Sequence, residues 1–342
     1  MEEKRNFDLL TLGQVLLRLS PPNNDRLVRG GTFVKQVGGA ELNVAVGVAL
    51  LGLRTGVISK LPSHDMGSFM KGKIRSYGVS DDFFMYDDSP SARVGIYYYE
   101  NGAYPRKPKV IYDRANGSFY SLKIDEIPEK AYTASRCFHT SGITLALSPK
   151  VRETTIEMIK RFKAAGTLVS FDVNFRGNLW TGEEAKECIE QILPYVDIFF
   201  CSEDTARLTF KKTGTAREMM KSFTEEYPIS IVASTQRIVH SPKSHTFGSI
   251  IYDARKDIYY EEEPYRDIDV VDRIGSGDAY ISGALYGLLT SNFDCEKAVR
   301  YGNATSAVKN TIPGDLPSSD LEEIETIIKA HNQTGFQSEM AR

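Results

Sequence analysis

A repeating alternation constrains this chain most: short apolar runs of strand length are separated by segments with helical spacing. Residues 7–13 form an apolar run closed by a glycine, too short for a helix and suited to a buried strand. Residues 38–53 then place Leu42, Val46, Ala49, Leu50 and Leu53 at helical intervals, and residues 55–60 return to an extended pattern. The succession recurs, with 69–77, 151–165 and 183–193 reading as helices and 137–141, 167–173 and 197–201 as strands. Short buried strands joined by helices predict right-handed βαβ units. The expected fold class is therefore α/β, with a mainly parallel sheet covered by helices on both faces.

Two stretches, 15–37 and 93–114, break the rhythm. Strand-like segments at 16–19, 32–36, 94–100 and 109–112 alternate there with turn residues such as Pro21, Pro22, Asn23, Asn24, Asn101 and Gly102, without helical periodicity. They predict two hairpins forming a small sheet outside the α/β body, placed as a lid; surface ornament is the plainer reading. A chain of 342 residues can hold two average domains or one large α/β domain. Taken with the motifs below, residues 1–332 are expected to form one domain that carries the lid, and 333–342 a frayed polar tail.

Composition serves mainly to exclude. Lys and Arg total 42 against 45 Asp and Glu, a net charge of −3, so there is no basic footprint for nucleic acid. No apolar stretch is long enough to span a bilayer, and the first apolar run is too short for a secretory signal, so a cytoplasmic protein without membrane partners is expected. The four cysteines lie far apart without a CxxC pair, and the five histidines lack metal-ligand spacing. A GxSxG elbow and a full GxGxxG are missing too. Residues 67–73 match the start of a P-loop, but Ile74 stands where a metal-binding hydroxyl is required.

The most informative motif is Asp272-Arg273-Ile274-Gly275-Ser276-Gly277-Asp278-Ala279, which follows a strand-like segment at 269–271 and opens an apolar helix at 279–289. Two glycines before a helix N-terminus, with its unpaired amides and positive dipole end, make a cradle for an anion. An aspartate inside such a cradle repels the ligand its surroundings attract, unless its task is to take a proton from a hydroxyl attacking phosphorus. Asp278 as a simple helix-start charge is the alternative.

Three further groups invite the same double reading. Gly38 and Gly39 lead into a helix carrying Asn43, which suits either ligand approach or close helix packing. Tyr97 and Tyr99 share one face of a lid strand, with Tyr112 and Arg114 nearby; Arg114 can meet an anionic substrate or form an ion pair with Asp113. The string Phe171-Asp172-Val173-Asn174-Phe175-Arg176 ends a strand, where open α/β sheets bind ligands, so Asn174 and Arg176 are candidates, although a loop arginine is often just solvated.

These motifs in this order resemble the ribokinase-like (phosphofructokinase-B-type) carbohydrate kinases over nearly the whole chain, from Phe7 to about Lys329. The strings 17–22, 110–115 and 171–180 look closer still to the 2-keto-3-deoxygluconate kinases. The resemblance implies ATP-dependent phosphorylation of that sugar acid at its C6 hydroxyl, with Asp278 as base and Gly275, Ser276 and Gly277 as an anion hole. It implies a sugar-acid pocket lined by Gly38, Gly39, Asn43, Tyr97, Tyr112, Arg114, Arg176 and Asp278, with Asp315 on the substrate side.

The nucleotide is expected over Asn174, Arg176, Ser234, Thr235, Gly275, Gly277 and Asn303. Magnesium is implied as cofactor, and many such kinases respond to a monovalent cation such as K+ near the loop that includes Asp272. Lid sheets of this kind often pair, so a homo-oligomer is expected. The chain also departs from the pattern. Arg273 replaces a small residue, Ser276 an alanine, and Gln14 stands where glutamate is frequent. The Asn-x-x-Glu element that organises magnesium reads Ser202-Glu203-Asp204-Thr205, and the glycine-rich nucleotide segment reads Ser234-Thr235-Gln236-Arg237, which leaves the metal ligands unassigned. A kinase of fructose or another sugar, or a catalytically silent sugar-acid sensor, are the rival readings.

Overall fold

The structure, a computed structural model, describes residues 5–331; the expected tail at 333–342 lies outside the described residues. Its strands in chain order are β1 (Phe7–Leu12), β2 (Leu16–Ser20), β3 (Val34–Gly38), β4 (Thr55–Pro62), β5 (Phe84–Asp87), β6 (Gly95–Glu100), β7 (Lys109–Asp113), β8 (Ser135–Ser141), β9 (Leu168–Asp172), β10 (Ile198–Phe200), β11 (Ile231–Ser241), β12 (Ser244–Asp253), β13 (Ile258–Glu261) and β14 (Tyr265–Asp269). Helices α1 (Ala40–Leu50), α2 (Asp65–Ser76), α3 (Lys130–Thr133), α4 (Gly142–Ala146), α5 (Pro149–Ala164), α6 (Gly182–Glu190), α7 (Glu203–Leu208), α8 (Ala216–Glu226), α9 (Ser276–Thr290), α10 (Cys295–Asn310) and α11 (Leu321–His331) connect or follow them.

The large sheet runs β13-β12-β11-β10-β9-β8-β1-β4-β5, with β14 paired to β12. It is parallel from β5 to β11 and antiparallel beyond. Side-chain alternation explains why its strands read as continuous apolar runs. Along β10, Phe199 enters the core on one side while Ile198 and Phe200 enter the core on the other, and Phe138 and Cys137 divide in the same way. Both faces are thus removed from water, as a parallel sheet wrapped by helices requires.

The expected hairpins are present. β2 with β3, and β6 with β7, are antiparallel pairs, and a parallel β2–β6 pairing joins them into one four-stranded sheet, β3-β2-β6-β7. β3 starts at Val34 rather than at residue 32. The strand expected at 269–271 ends at Asp269, because the amides of Val271 and Asp272 donate instead to Asn310 O at the end of α10. The long β11–β12 hairpin went unread as strand. Its inner part is buried, whereas Gln236 to His240 project past the body, exposed. Among the described residues no helix is long and apolar enough to cross a membrane.

Candidate active site

The carboxyl end of β9, the N-termini of α1 and α9, and the base of the small sheet converge on a cavity of 530 Å³, within the range of about 300 to 1,000 Å³ usual for ligand sites. A second cavity of 290 Å³ shares Asp172, Asn174, Arg176 and Gly277 with it, so the two form one cleft beyond the strand ends.

Gly275 begins α9 in a left-handed conformation, φ 80°, with no side-chain cap. A Cβ there would come within 2.0 Å of Asp315 O, so only glycine fits. The uncapped first turn, Ser276, Gly277 and Asp278, opens on the cavity. Asn43, on α1, donates from Nδ2 to Asp278 Oδ2 at 2.6 Å and orients the carboxylate. Gly39 brings α1 this close: its φ is 136°, and a Cβ would sit 2.5 Å from Gln14 O. The Gly38 Cα instead faces the Asp315 carboxylate.

Burial pushes the Asp278 carboxyl up to about 7, against the pull of Asn43 and Arg176. Asp172 is likewise pushed up to about 7, by burial first and by the Asp278 charge second. Glu41 is raised by burial as well, while Ser141 and Thr144 donate to its Oε1 at 2.6 and 2.8 Å. A carboxyl raised in this way stabilises the fold most below its unfolded value of 3.8, and that contribution is lost as pH rises through about 7. Asp172→Asn is therefore expected to melt progressively higher than the parent protein as pH goes from about 5 to about 8, by about 2 to 4 °C at the upper end. A gap that stays constant with pH contradicts this.

Arginines supply the opposite sign. Arg176 and Arg237 are exposed at the cavity wall, with Arg273 beside the cradle. Arg114 is different, being 8% exposed. Its Nε donates to Gln14 Oε1 at 2.9 Å, and Gln14 Nε2 donates back to Arg114 O at 3.3 Å. Burial lowers its pKa against the pull of Tyr120, Tyr112 and the Glu41 carboxylate, and among the described residues no carboxylate is hydrogen-bonded to it. The Arg114 guanidinium lies 5.7 Å from the Tyr112 ring, which in turn neighbours the Tyr97 ring at 5.8 Å. Asp113, the expected alternative partner, pairs with Arg93 at 2.7 Å.

The pfkB family carbohydrate kinase pattern matches residues 6–320. The chain belongs to this family. A 2-dehydro-3-deoxygalactonokinase of Haloferax volcanii is 34% identical over 322 residues, covering 94% of this chain and 96% of the relative. A 5-dehydro-2-deoxygluconokinase of Listeria monocytogenes is 27% identical over 330 residues, with 95% and 97% covered. The crystal structure of 2-dehydro-3-deoxygluconokinase from Thermotoga maritima superposes with a TM-score of 0.89 at 31% identity, covering 94% of this chain and 99% of that one. The ribokinase-like α/β fold expected from the sequence is borne out, and the protein is a sugar kinase.

In this pfkB kinase the remaining candidates separate. Tyr97, Tyr112, Asn174 and Arg176 line the larger cavity, and Thr235 lines the smaller. Ser234 is buried within β11 and lines neither part of the cleft. Asn303 lies away from the cleft: it is buried in α10, accepting from Ser249 Oγ at 2.7 Å and donating to Glu262 Oε1 at 3.0 Å. Asp315 lines the cavity, but its carboxylate already accepts from Tyr97 Oη at 2.5 Å and from Arg18 Nη1 at 2.8 Å, which makes it part of the wall. Glu41, Asp172 and Arg237 were missed as site residues. For Asp172 and Arg237 the available signal was position alone, at a strand end and in the nucleotide segment.

Proposed function

We propose that this kinase transfers the γ-phosphoryl group of ATP to the C6 hydroxyl of 2-keto-3-deoxygluconate, yielding 2-keto-3-deoxy-6-phosphogluconate and ADP. The observation that carries the reading is Arg114, a buried cation whose hydrogen-bonding side-chain partners are the neutral Gln14 and Tyr120, with the Glu41 carboxylate acting on it through charge alone. Burying a guanidinium with no carboxylate hydrogen-bonded to it is costly even with the Glu41 charge nearby, and a substrate carboxylate supplies such a partner. A neutral hexose does not. The names of the Haloferax, Listeria and Thermotoga relatives, all kinases of sugar acids, support the same substrate class.

In this reading Asp278 accepts the hydroxyl proton as the substrate oxygen attacks the γ-phosphorus. The new O–P bond forms while the bond to the bridging oxygen of the leaving ADP breaks. The amides of Gly275, Ser276 and Gly277 and the end of α9 face the charge that develops. Arg176, Arg237 and Arg273 add positive field at the same wall.

The donor set fits a magnesium ion that arrives on the nucleotide phosphates, because such ions keep most of their waters and need one or two protein carboxylates. Among the described residues there is no cluster of three or more potential ligands. Asp172 would hold the ion, beside the hydroxyls of Ser202 and Thr205, whereas Glu203 is turned to Arg207 at 2.9 Å. When bound, magnesium neutralises phosphate charge. The small sheet serves as the lid. Its exposed Phe33, Val34, Val110 and Ile111 support self-association through it, and four free, buried cysteines suit a cytoplasmic setting.

ADP release measured against a panel of keto-acids, hexonates and hexoses tests the assignment, and separates a catalyst from a silent sensor. Arg114→Met is expected to cost about 10² to 10³-fold in kcat/KM for the keto-acid and little for fructose. Equal losses on both substrates would sink it. A second reading, 2-keto-3-deoxygalactonate, is favoured by the Haloferax relative; the two acids differ at C4, and their kcat/KM ratio decides.

A further inference from the structure

Arg18 and Lys309 are each 1% exposed, the most deeply buried arginine and lysine among the described residues, and neither lines the cleft. Both close on the loop that leads into the anion cradle. Arg18, on β2, donates to Asp272 Oδ2 at 2.5 Å and to Asp315 Oδ1 at 2.8 Å, with its guanidinium 4.4 Å from the Tyr99 ring centroid. Lys309, near the end of α10, has no such carboxylate contact: its Nζ donates to two backbone carbonyls, Asp272 O at 3.4 Å and Ile312 O at 3.1 Å.

The arrangement bears on the monovalent cation that the family resemblance implies at this loop. Such an ion is held by carbonyl and carboxylate oxygens in place of its hydration shell. Here those oxygens are engaged. The carbonyls of Asp272 and Ile312 receive the ammonium group, while the Asp272 carboxylate accepts from Arg18, from Ile274 N at 3.0 Å and from Gly314 N at 3.1 Å. The loop therefore does not fit an added monovalent ion, although it is built around positive charge.

We propose that the Lys309 ammonium, backed by the Arg18 guanidinium, is a tethered replacement for the monovalent cation, so that the Asp272 loop and the cradle after it hold their shape without an added ion. Lys309 is a positioning residue. It acts through the loop: Asp272 is stitched by its amide to Asn310 O, the chain turns at Gly275, and Gly275 rests on the Asp315 backbone. A loop displaced by an ångström would misplace amides that must meet the transferring phosphoryl group, an error that costs about 10²-fold in comparable sites.

The inference rests on the sugar kinase activity, and its test includes a reading that needs no substrate. The parent protein is assayed in K+, Na+ and N-methylglucammonium at one ionic strength, and its turnover and ligand-free Tm should be the same in all three. Lys309→Ala, which opens room beside the two carbonyls, should lose about 10²-fold in turnover in N-methylglucammonium and regain most of it in K+ or ammonium. Its ligand-free Tm should rise by about 2 °C or more with K+, since an ion that binds only the folded state stabilises it. Lys309→Met, which fills the same space without charge, should show neither recovery. If Lys309→Ala folds only when K+ is present, that also supports the proposal. Activation of the parent protein by K+ overturns it, as does a Lys309→Ala protein whose activity and Tm ignore K+ or which stays unfolded in both buffers.

Discussion

Asp278→Asn is expected to lower turnover by about 10² to 10⁴-fold while leaving substrate affinity and fold nearly intact. The substitution keeps the shape of the side chain and removes its charge. Asn43 Nδ2 now donates to Asp278 Oδ2, and an asparagine oxygen can accept the same bond, so the packing between α1 and α9 survives. What disappears is the ability to take a proton. Because burial pushes this carboxyl up to about 7, the parent enzyme should show an acid limb in kcat/KM near neutral pH, higher than an ordinary aspartate would give. The variant should lack that limb. Initial rates by coupled ADP release, with ligand affinity measured separately by calorimetry, check both parts; near-normal turnover would remove Asp278 from the mechanism.

Gly275→Ala should be nearly as damaging, for a different reason. A β-carbon at φ 80° meets Asp315 O at 2.0 Å, which is backbone and cannot rotate aside. Relief requires the chain to shift at the first amide of the cradle. Loss of a single well-placed oxyanion donor costs about 10² to 10³-fold in kcat, and a similar loss is expected here. KM for the acid should change little, since Tyr112 on β7 and Arg114 just after it do not belong to the turn that Gly275 makes. A tenfold or larger rise in KM at constant kcat, relative to that expected loss, would show that Gly275 serves binding rather than chemistry.

The α/β frame was legible because strands such as β1 and β10 are buried on both faces and read as mostly apolar runs, whereas the half-exposed edge strand β5 went unread. The β11–β12 hairpin was not legible either. β11 is buried from Ile231 to Ser234 and exposed from Gln236 onward, so no single period runs through it. At the site, Asp278 and the glycines were legible because their signal is local: the residues that turn the chain also open the helix. Arg18 is the opposite case. Its partners lie 254 and 297 positions away, and an arginine between Leu17 and Leu19 gives no hint that both faces of its strand are covered. Asn303 falls on α10, but helical position does not tell which way a side chain turns, and it turns to Ser249 and Glu262.

The β2–β6 pairing has a mechanical consequence. It makes one plate of two hairpins far apart in the chain, and Arg18 rivets that plate at its root to Asp272 and Asp315 in the body. The plate is therefore anchored beside the cradle. Tyr97, bonded to Asp315, is held at that root, while Gly102 and Lys107 beyond the end of β6 line a separate cavity with Asp272 and Arg273. The small sheet is thereby tied to the body at the same carboxylates that border the cradle.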